Sequence, residues 1–305
     1  TNMPPKKEKY DCIVIGSGPG GAPFAWKLAS EGMNVLILEA GPRYNPYKDY
    51  ALDEQDWETK GFPYKKTIKN TFGKRQTLNP QYDQLKSWNK ASGQLNRTKK
   101  RHYHKYQQVS GVGGTTLHYQ GEAHRLNQSA FRMKSLYGEL VDWPIDYETL
   151  EPYYSQVESI IGVAGPDKVP FRPRSKPYPL KPHKLSYASQ LIQKACKKQD
   201  LNLDANPVAI LSSLYRDAPP CNYCNGCTWG CPRKDKGSVD VTFIPLAEDT
   251  GNCEILTYAF ASGIEVENKQ GKKKVNGVFY FDRGGKEHFI KSDYIAIACG
   301  DVQTP

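Results

Sequence analysis

The sequence predicts an α/β fold. A dinucleotide-binding βαβ unit opens it, irregular and helical segments follow, and an antiparallel meander near the carboxyl end returns to the main sheet. Three observations carry this reading. The run Gly16-Ser17-Gly18-Pro19-Gly20-Gly21 lies between an apolar stretch, Cys12 to Ile15, and a helical-looking one. The apolar run Val35-Leu36-Ile37-Leu38 then closes on Glu39. From Glu254 onward, strand-length runs alternate with turns at Gln270-Gly271 and Gly284-Gly285.

Each element has its own justification. Thr1 to Lys9 is a polar lead-in, and residues 1–41 form the first binding segment. The spacing of Gly16, Gly18 and Gly21 is G-x-G-x-x-G. Gly16 permits the tight turn, Gly18 lets backbone approach a pyrophosphate, and Gly21 lets the helix pack closely on the sheet. The phosphates then rest on the positive end of a helix running from Gly20 to about Glu31. Glu39, at the end of the second strand and roughly 20 residues beyond the glycines, is where a ribose hydroxyl is held.

Residues 42–104 turn to Tyr, Pro, Asn, Lys and Trp without periodicity. So long an excursion reads as a lid, a subunit contact or a surface elaboration. In the segment 105–165, Gly111-Val112-Gly113-Gly114-Thr115-Thr116 suits a turn whose N–H groups and hydroxyls face phosphate or a flat polar ring. His118 lies just beyond it. Tyr147, Leu150, Tyr153, Tyr154, Val157, Ile160 and Ile161 have helical spacing and stop at Gly162. Residues 166–245 hold a proline-rich basic connection, a second helix from Leu185 to Lys198, and a cysteine run. In residues 246–305 strands are expected at Glu254–Tyr258, Ile264–Asn268, Val275–Asp282, His288–Lys291 and Tyr294–Ala298.

The chain has 305 residues and a formal charge of +10, which suits an acidic partner or an anionic surface. No nucleic-acid motif accompanies that charge. Its basic clusters, Arg97 to Arg101 and Lys272 to Lys274, read as solvated loops. No apolar run approaches the roughly 18 residues that span a bilayer, and no signal peptide is visible. Four of the eight cysteines form Cys221-x-x-Cys224-x-x-Cys227-x-x-x-Cys231-Pro232. This is the bacterial ferredoxin spacing, so an iron–sulfur centre is expected. A zinc site or disulfides are the alternatives, although zinc more often takes two C-x-x-C pairs separated by a longer loop. Cys12, Cys196, Cys253 and Cys299 stand in apolar contexts and read as buried structural thiols.

On these motifs the chain resembles the glucose-methanol-choline (GMC) family of flavoproteins. Within that family it is most similar to the flavin-bearing subunits of bacterial glucose, gluconate and fructose dehydrogenases. The resemblance is carried by Gly16, Gly18, Gly21 and Glu39, by Gly113-Gly114-Thr115-Thr116-Leu117-His118-Tyr119, and by Phe131 to Gly138, Asp142 to Ile145 and Leu150 to Tyr154. It implies an FAD-binding Rossmann-like domain of the GMC/glutathione-reductase type with part of a substrate domain. The first set would hold the ADP part of FAD, and Gly113, Gly114, Thr115, Thr116 and His118 would lie along the flavin. Backbone near Phe260 would meet the adenine, and the Cys299-Gly300 turn would approach the flavin. His118 matches a position that carries flavin covalently in related pyranose oxidases.

The resemblance further implies oxidation of a sugar or polyol hydroxyl by hydride transfer to flavin. Electrons would leave through a 3Fe-4S or 4Fe-4S cluster on Cys221, Cys224, Cys227 and Cys231 to an acceptor such as a c-type cytochrome. In the family, catalytic residues follow the part matched here, so no residue of this chain is assigned as the base. The expectation is a catalytic half on another segment or polypeptide, with a small subunit and a periplasmic location by analogy, and exposed apolar surface on residues 1–305 alone. The alternatives are an alcohol or sterol oxidase with structural cysteines and a non-catalytic electron-transfer subunit.

Overall fold

The computed structural model describes residues 4–50, 109–167, 172–269 and 271–300. In chain order its main elements are β1 (Lys9–Ile15), α1 (Gly21–Ser30), β2 (Val35–Leu38), α2 (Pro46–Asp49), α3 (Met133–Tyr137), α4 (Tyr147–Ile161), α5 (Tyr187–Lys197), α6 (Phe243–Asp249), β3 (Cys253–Leu256), β4 (Phe260–Lys269), β5 (Lys272–Phe281) and β6 (Glu287–Ile297). They divide between two compact units. The first comprises Thr1–His118, Thr228–Pro232 and Val239–Pro305, and the second Tyr119–Cys227 and Arg233–Ser238. This division cuts two of the expected segments, 105–165 at His118 and 166–245 around the cysteine run.

The first unit is built on one sheet in the order β3-β2-β1-β6-β5-β4. The β3, β2, β1 and β6 pairings are parallel, with Cys12 opposite Val35 and Ile13 opposite Ile295. The β6, β5 and β4 pairings are antiparallel and form the meander. All four residues of β2 are buried, as a parallel strand covered on both faces requires. Helix α1 supplies part of that cover through the small buried residues Ala22, Ala25 and Ala29. Trp26 of α1 meets Phe243 of α6 edge-on with centroids 5.5 Å apart. On the core, Ile13, Leu36, Leu38, Val278 and Ile290 cluster together.

The strand reading needs two corrections. Lys272 to Lys274, expected as a solvated loop, open strand β5 and pair with Lys269, Asn268 and Glu267 of β4, because the chain turns back at Gly271. His288–Lys291 and Tyr294–Ile297 are not two strands; they belong to the single strand β6, and Ala298 lies just beyond it. Ser292 and Asp293 look like a turn, but Ser292 is buried and its hydroxyl donates to the Tyr294 carbonyl at 2.7 Å. Asp293 pairs with Lys9 on the neighbouring strand at 2.6 Å. Beyond residue 50, the excursion expected over 42–104 lies outside the described residues, as does the Arg97 to Arg101 cluster.

The second unit carries α3, α4 and α5. Asp146 caps α4 by accepting from the Thr149 N–H at 2.8 Å, and the helix ends at Gly162 with φ +71°. Its inner side faces Arg125, whose side chain is 1% exposed. The guanidinium donates to Glu158 at 2.7 and 2.8 Å, to Glu151 at 2.8 Å, to Ser155 at 3.0 Å and to the Tyr147 hydroxyl at 3.2 Å. Arg174 adds a second cation against Glu158 and stacks 3.4 Å from the Tyr178 ring centroid. Two carboxylates thus share two guanidiniums, which is what keeps four charges tolerable away from water. Ser186 caps α5 through the Ser189 N–H, yet no residue of α5 is buried.

Candidate functional site

The chain leaves β1 for β2 on one side and later returns as β6 on the other. Ligands of open α/β sheets bind at such a reversal, outside the carboxyl ends of the strands. Gly16 stands at this place with φ +100°, and a Cβ there would lie 2.5 Å from the Ala298 carbonyl oxygen. A Cβ on Gly21 would lie 2.0 Å from the Gly16 carbonyl oxygen. Both glycines are therefore dictated by backbone crowding. The amino end of α1 has no side-chain cap and no acidic residue in its first turn. The Ala22 N–H donates to the Gly18 carbonyl at 3.0 Å; with no side chain capping or repelling at this end, it suits the anionic pyrophosphate.

The second glycine run meets the first. A Cβ on Gly114 would lie 2.9 Å from Gly18 Cα. Gly113 has φ +110°, and Gly114–Leu117 then winds a short 3₁₀ turn. Thr116 pins that turn: its hydroxyl donates to the Gly113 carbonyl at 2.6 Å and accepts from the Val239 N–H at 3.1 Å. Thr115 is half-buried, and its carbonyl accepts from the His118 N–H at 3.2 Å, so His118 closes the turn.

Glu39 binds this arrangement together. Its buried carboxylate accepts from the Ser17 hydroxyl at 2.6 Å, the Ser17 N–H at 3.2 Å, the Gly41 N–H at 2.9 Å and the Gly111 N–H at 3.1 Å. Burial pushes its pKa up, and these four donors oppose the shift without cancelling it. Ser17 in turn accepts from the Gly113 N–H at 3.2 Å. It thereby links the first glycine turn, Glu39 and the second turn. Sequence reasoning passed over Ser17; the signal was a hydroxyl inside G-x-G facing an acidic strand end. Phe260 opens β4, and the N–H before it, of Ala259, donates to the Glu39 carbonyl at 2.9 Å. The Cys299 thiol donates to the Ile15 carbonyl at 3.5 Å, beside the same turn.

The fold thus brings Gly16, Gly18, Gly21, Glu39, Gly113, Gly114 and Thr116 to one place, and these residues fit FAD. The crowded glycines form a cradle that a Cβ would fill, and the uncapped helix end suits a diphosphate. Replacing Glu39 with Gln leaves one acceptor oxygen where two now receive donors. The expected cost is about 1–3 kcal/mol of stability, with weakened FAD affinity, read by urea denaturation and flavin titration.

The cysteine run behaves differently. Cys221, Cys224 and Cys227 lie in the second unit and Cys231 in the first. Among the described residues, no group of three or more His, Cys, Asp or Glu is placed to hold a metal ion. The loop is shaped by partners from elsewhere in the second unit. The Cys221 N–H donates to the Leu211 carbonyl at 2.9 Å, and His183 Nδ1 lies 2.9 Å from the Tyr223 hydroxyl. Lys236, 1% exposed, donates to the carbonyls of Cys227 at 2.7 Å and Tyr119 at 3.0 Å. Burial pushes the Cys221 thiol up to about 11 and raises Cys227 as well. Of the dispersed cysteines, Cys12 is buried as expected, whereas Cys196, Cys253 and Cys299 are half-buried. Cys196 is so because α5 buries none of its residues.

Comparison with known proteins bears on the same features. Residues 14–44 match the NAD(P)-binding Rossmann-like domain, and residues 80–305 match GMC oxidoreductase. The chain is 24% identical over 298 residues to the fructose dehydrogenase large subunit of Gluconobacter japonicus, covering 97% of this chain and 53% of that protein. It is 26% identical to the gluconate 2-dehydrogenase flavoprotein of Pantoea cypripedii, covering 95% of this chain and 50% of that one. The chain thus spans about half the length of the curated relatives it matches. Formate oxidase from Aspergillus oryzae shares the fold with a TM-score of 0.58 at 14% identity, covering all of this chain and 47% of the oxidase. The glycine cradle, the mixed sheet with its meander and the family match over most of the length agree: this chain belongs to the GMC oxidoreductase family.

Proposed function

We propose that the chain is the FAD-binding part of a dehydrogenase that oxidises a hydroxyl of a sugar or polyol. The observation that carries this reading is the meeting of Gly18 with Gly114 beside Glu39, all tied by Ser17. The fructose and gluconate dehydrogenase relatives support the substrate class. In this reading the amino end of α1 holds the pyrophosphate, and Glu39 exchanges one of its four donors for a ribose hydroxyl. The backbone at Ala259 and Phe260 borders the adenine. The turn from Gly113 to Thr116 orients the ring system, with His118 beside it. When bound, FAD supplies the acceptor for the hydride of the carbinol C–H. The base that takes the hydroxyl proton is expected on polypeptide corresponding to the rest of the relatives' length.

The reading includes an iron–sulfur centre on Cys221, Cys224, Cys227 and Cys231, an external acceptor such as a cytochrome, and a periplasmic setting. Spacing supports the centre, and no step is derived through it. The long-chain-alcohol oxidases among the relatives support a second reading, an alcohol oxidase of this family whose cysteines are structural.

Anaerobic mixing of the purified native assembly with fructose, gluconate and simple polyols tests the proposal. Bleaching of the flavin absorbance by at least one of them is expected; an inert flavin with every member of the series overturns it. Iron analysis on the same sample separates the two readings, since active material without iron leaves only the second. Acid precipitation decides the bond at His118: flavin released in full to the supernatant excludes it.

A further inference from the structure

The two glycine turns touch at Gly18 and Gly114, but the polar ties between them run through two side chains, Glu39 and Ser17. Glu39 divides its oxygens. Oε2 accepts from the N–H and the hydroxyl of Ser17, on the first turn, and Oε1 accepts from the N–H groups of Gly41 and Gly111. Glu39 therefore reaches the second glycine run twice. It does so directly at Gly111 and indirectly, through the Ser17 hydroxyl, at Gly113.

The indirect tie has a fixed direction. Both oxygens of Glu39 already receive N–H groups, so the hydrogen of the Ser17 hydroxyl points to the carboxylate and its lone pairs are left for the Gly113 N–H. Hydrogen bonds in such a chain strengthen one another. Gly113, at φ +110°, is held at both ends, since its carbonyl accepts from the Thr116 hydroxyl at 2.6 Å. Ser17 is 0% exposed and Thr116 is buried, which shields both bonds from water. Of the four donors to Glu39, the Gly41 N–H is the one that a ribose hydroxyl replaces without loosening either turn.

We infer that Ser17 is a positioning residue that couples the two halves of the cofactor site. A ribose hydroxyl received by Glu39 steadies, through the Ser17 hydroxyl, the Gly113 turn that orients the flavin ring. The adenosine end thus acts as effector of the flavin end. Coupling of this kind needs no change of shape, because a turn already ordered by one ligand loses less freedom when the second binds. The inference rests on the FAD reading of the site and not on the substrate or the cysteines. Flavin bleaching and the experiment below therefore fail independently.

The test is residue-level hydrogen exchange on the native assembly, prepared flavin-free from riboflavin-starved cells, with saturating adenosine as the probe. Adenosine carries the ribose hydroxyls and has no phosphate with which to touch the second turn; dideoxyadenosine lacks those hydroxyls and is the control. Adenosine should slow exchange of the Gly111 and Gly113 amides by at least about fivefold, and the control should slow neither. In Ser17→Ala the Gly111 amide should still respond and the Gly113 amide should not, whereas general loosening of the site would move both alike. Ser17→Thr, which keeps the hydroxyl, should restore the Gly113 response. Riboflavin should bind the wild-type assembly at least about fivefold tighter with adenosine present, and Ser17→Ala should lose most of that gain. A wild-type Gly113 amide that ignores adenosine, a response that survives Ser17→Ala, or an equal effect of dideoxyadenosine overturns the inference. The wild-type comparison of the two nucleosides stands even where a variant fails to fold.

Discussion

Gly21→Ala is expected to abolish FAD binding and to destabilise the first unit by about 3 kcal/mol or more, beyond what ordinary overpacking costs. The added methyl would stand 2.0 Å from the Gly16 carbonyl oxygen and 3.2 Å from the Ala298 side chain. The nearer obstacle is backbone, which cannot rotate away as a side chain could. Relief requires α1 to lift from β1 or the Gly16 turn to open, and either movement displaces the helix end on which the pyrophosphate rests. Flavin fluorescence titration and a urea melt read the two effects. Gly20→Ala is the control, since its Cβ would meet only the Ala298 methyl at 4.0 Å. It should retain flavin and nearly all stability.

The largest loss in the second unit is expected from Arg125→Met. The substitution keeps the volume of the stem and removes the cation, leaving buried Glu158 with Arg174 alone and taking from half-buried Glu151 the guanidinium it pairs with. Breaking such a set costs about 3–5 kcal/mol, read as a lowered urea midpoint. The pH dependence carries a second signature. Burial works against ionisation of Glu151, but hydrogen bonds from Ser175 and Arg125 outweigh it and hold the carboxyl down at about 2, from an ordinary 4.5. Glu158 is lowered as well, against its own burial, by Arg125 and Arg174. A carboxyl with a depressed folded pKa contributes stability that is complete above its unfolded pKa and lost as pH falls through the folded one. The native protein should therefore lose stability steeply between about pH 4.5 and 2. In Arg125→Met that slope should flatten, because the carboxyls no longer gain as much from ionising; an unchanged slope would show that the ion set does not hold their protons off.

The parts of the fold that were legible in the sequence are those whose residues answer to their immediate neighbours. Gly16 and Gly21 are forced by atoms a few residues away or across one strand, and the Gly-rich turn, α1 and β2 follow from them. Asp146 and Gly162 mark the ends of α4 for the same reason. What escaped depends on distant partners. Ser292 reads as a turn residue until Asp11 and Tyr294 are seen to accept from its hydroxyl. Ser17 is an unremarked x in a motif until Glu39 and Gly113 close on it. The cysteine run has a telling spacing, yet the loop's course is set by His183 and Lys236, and the spacing contains no trace of either. Helix α5 falls within the range expected for it, Leu185 to Lys198, but the range alone does not say which side turns inward.

The strand order has a consequence for how the chain is made. β1, complete by Ile15, has as its two neighbours β2 and β6, and β6 begins only at Glu287. At about 5–20 residues per second, synthesis separates the two by roughly ten to fifty seconds. Throughout that interval one side of the central strand has nothing to pair with. The newborn chain thus carries an unpaired strand edge before it can bind flavin, and slowing translation ahead of residue 287 should lower the soluble yield without altering any contact of the finished fold.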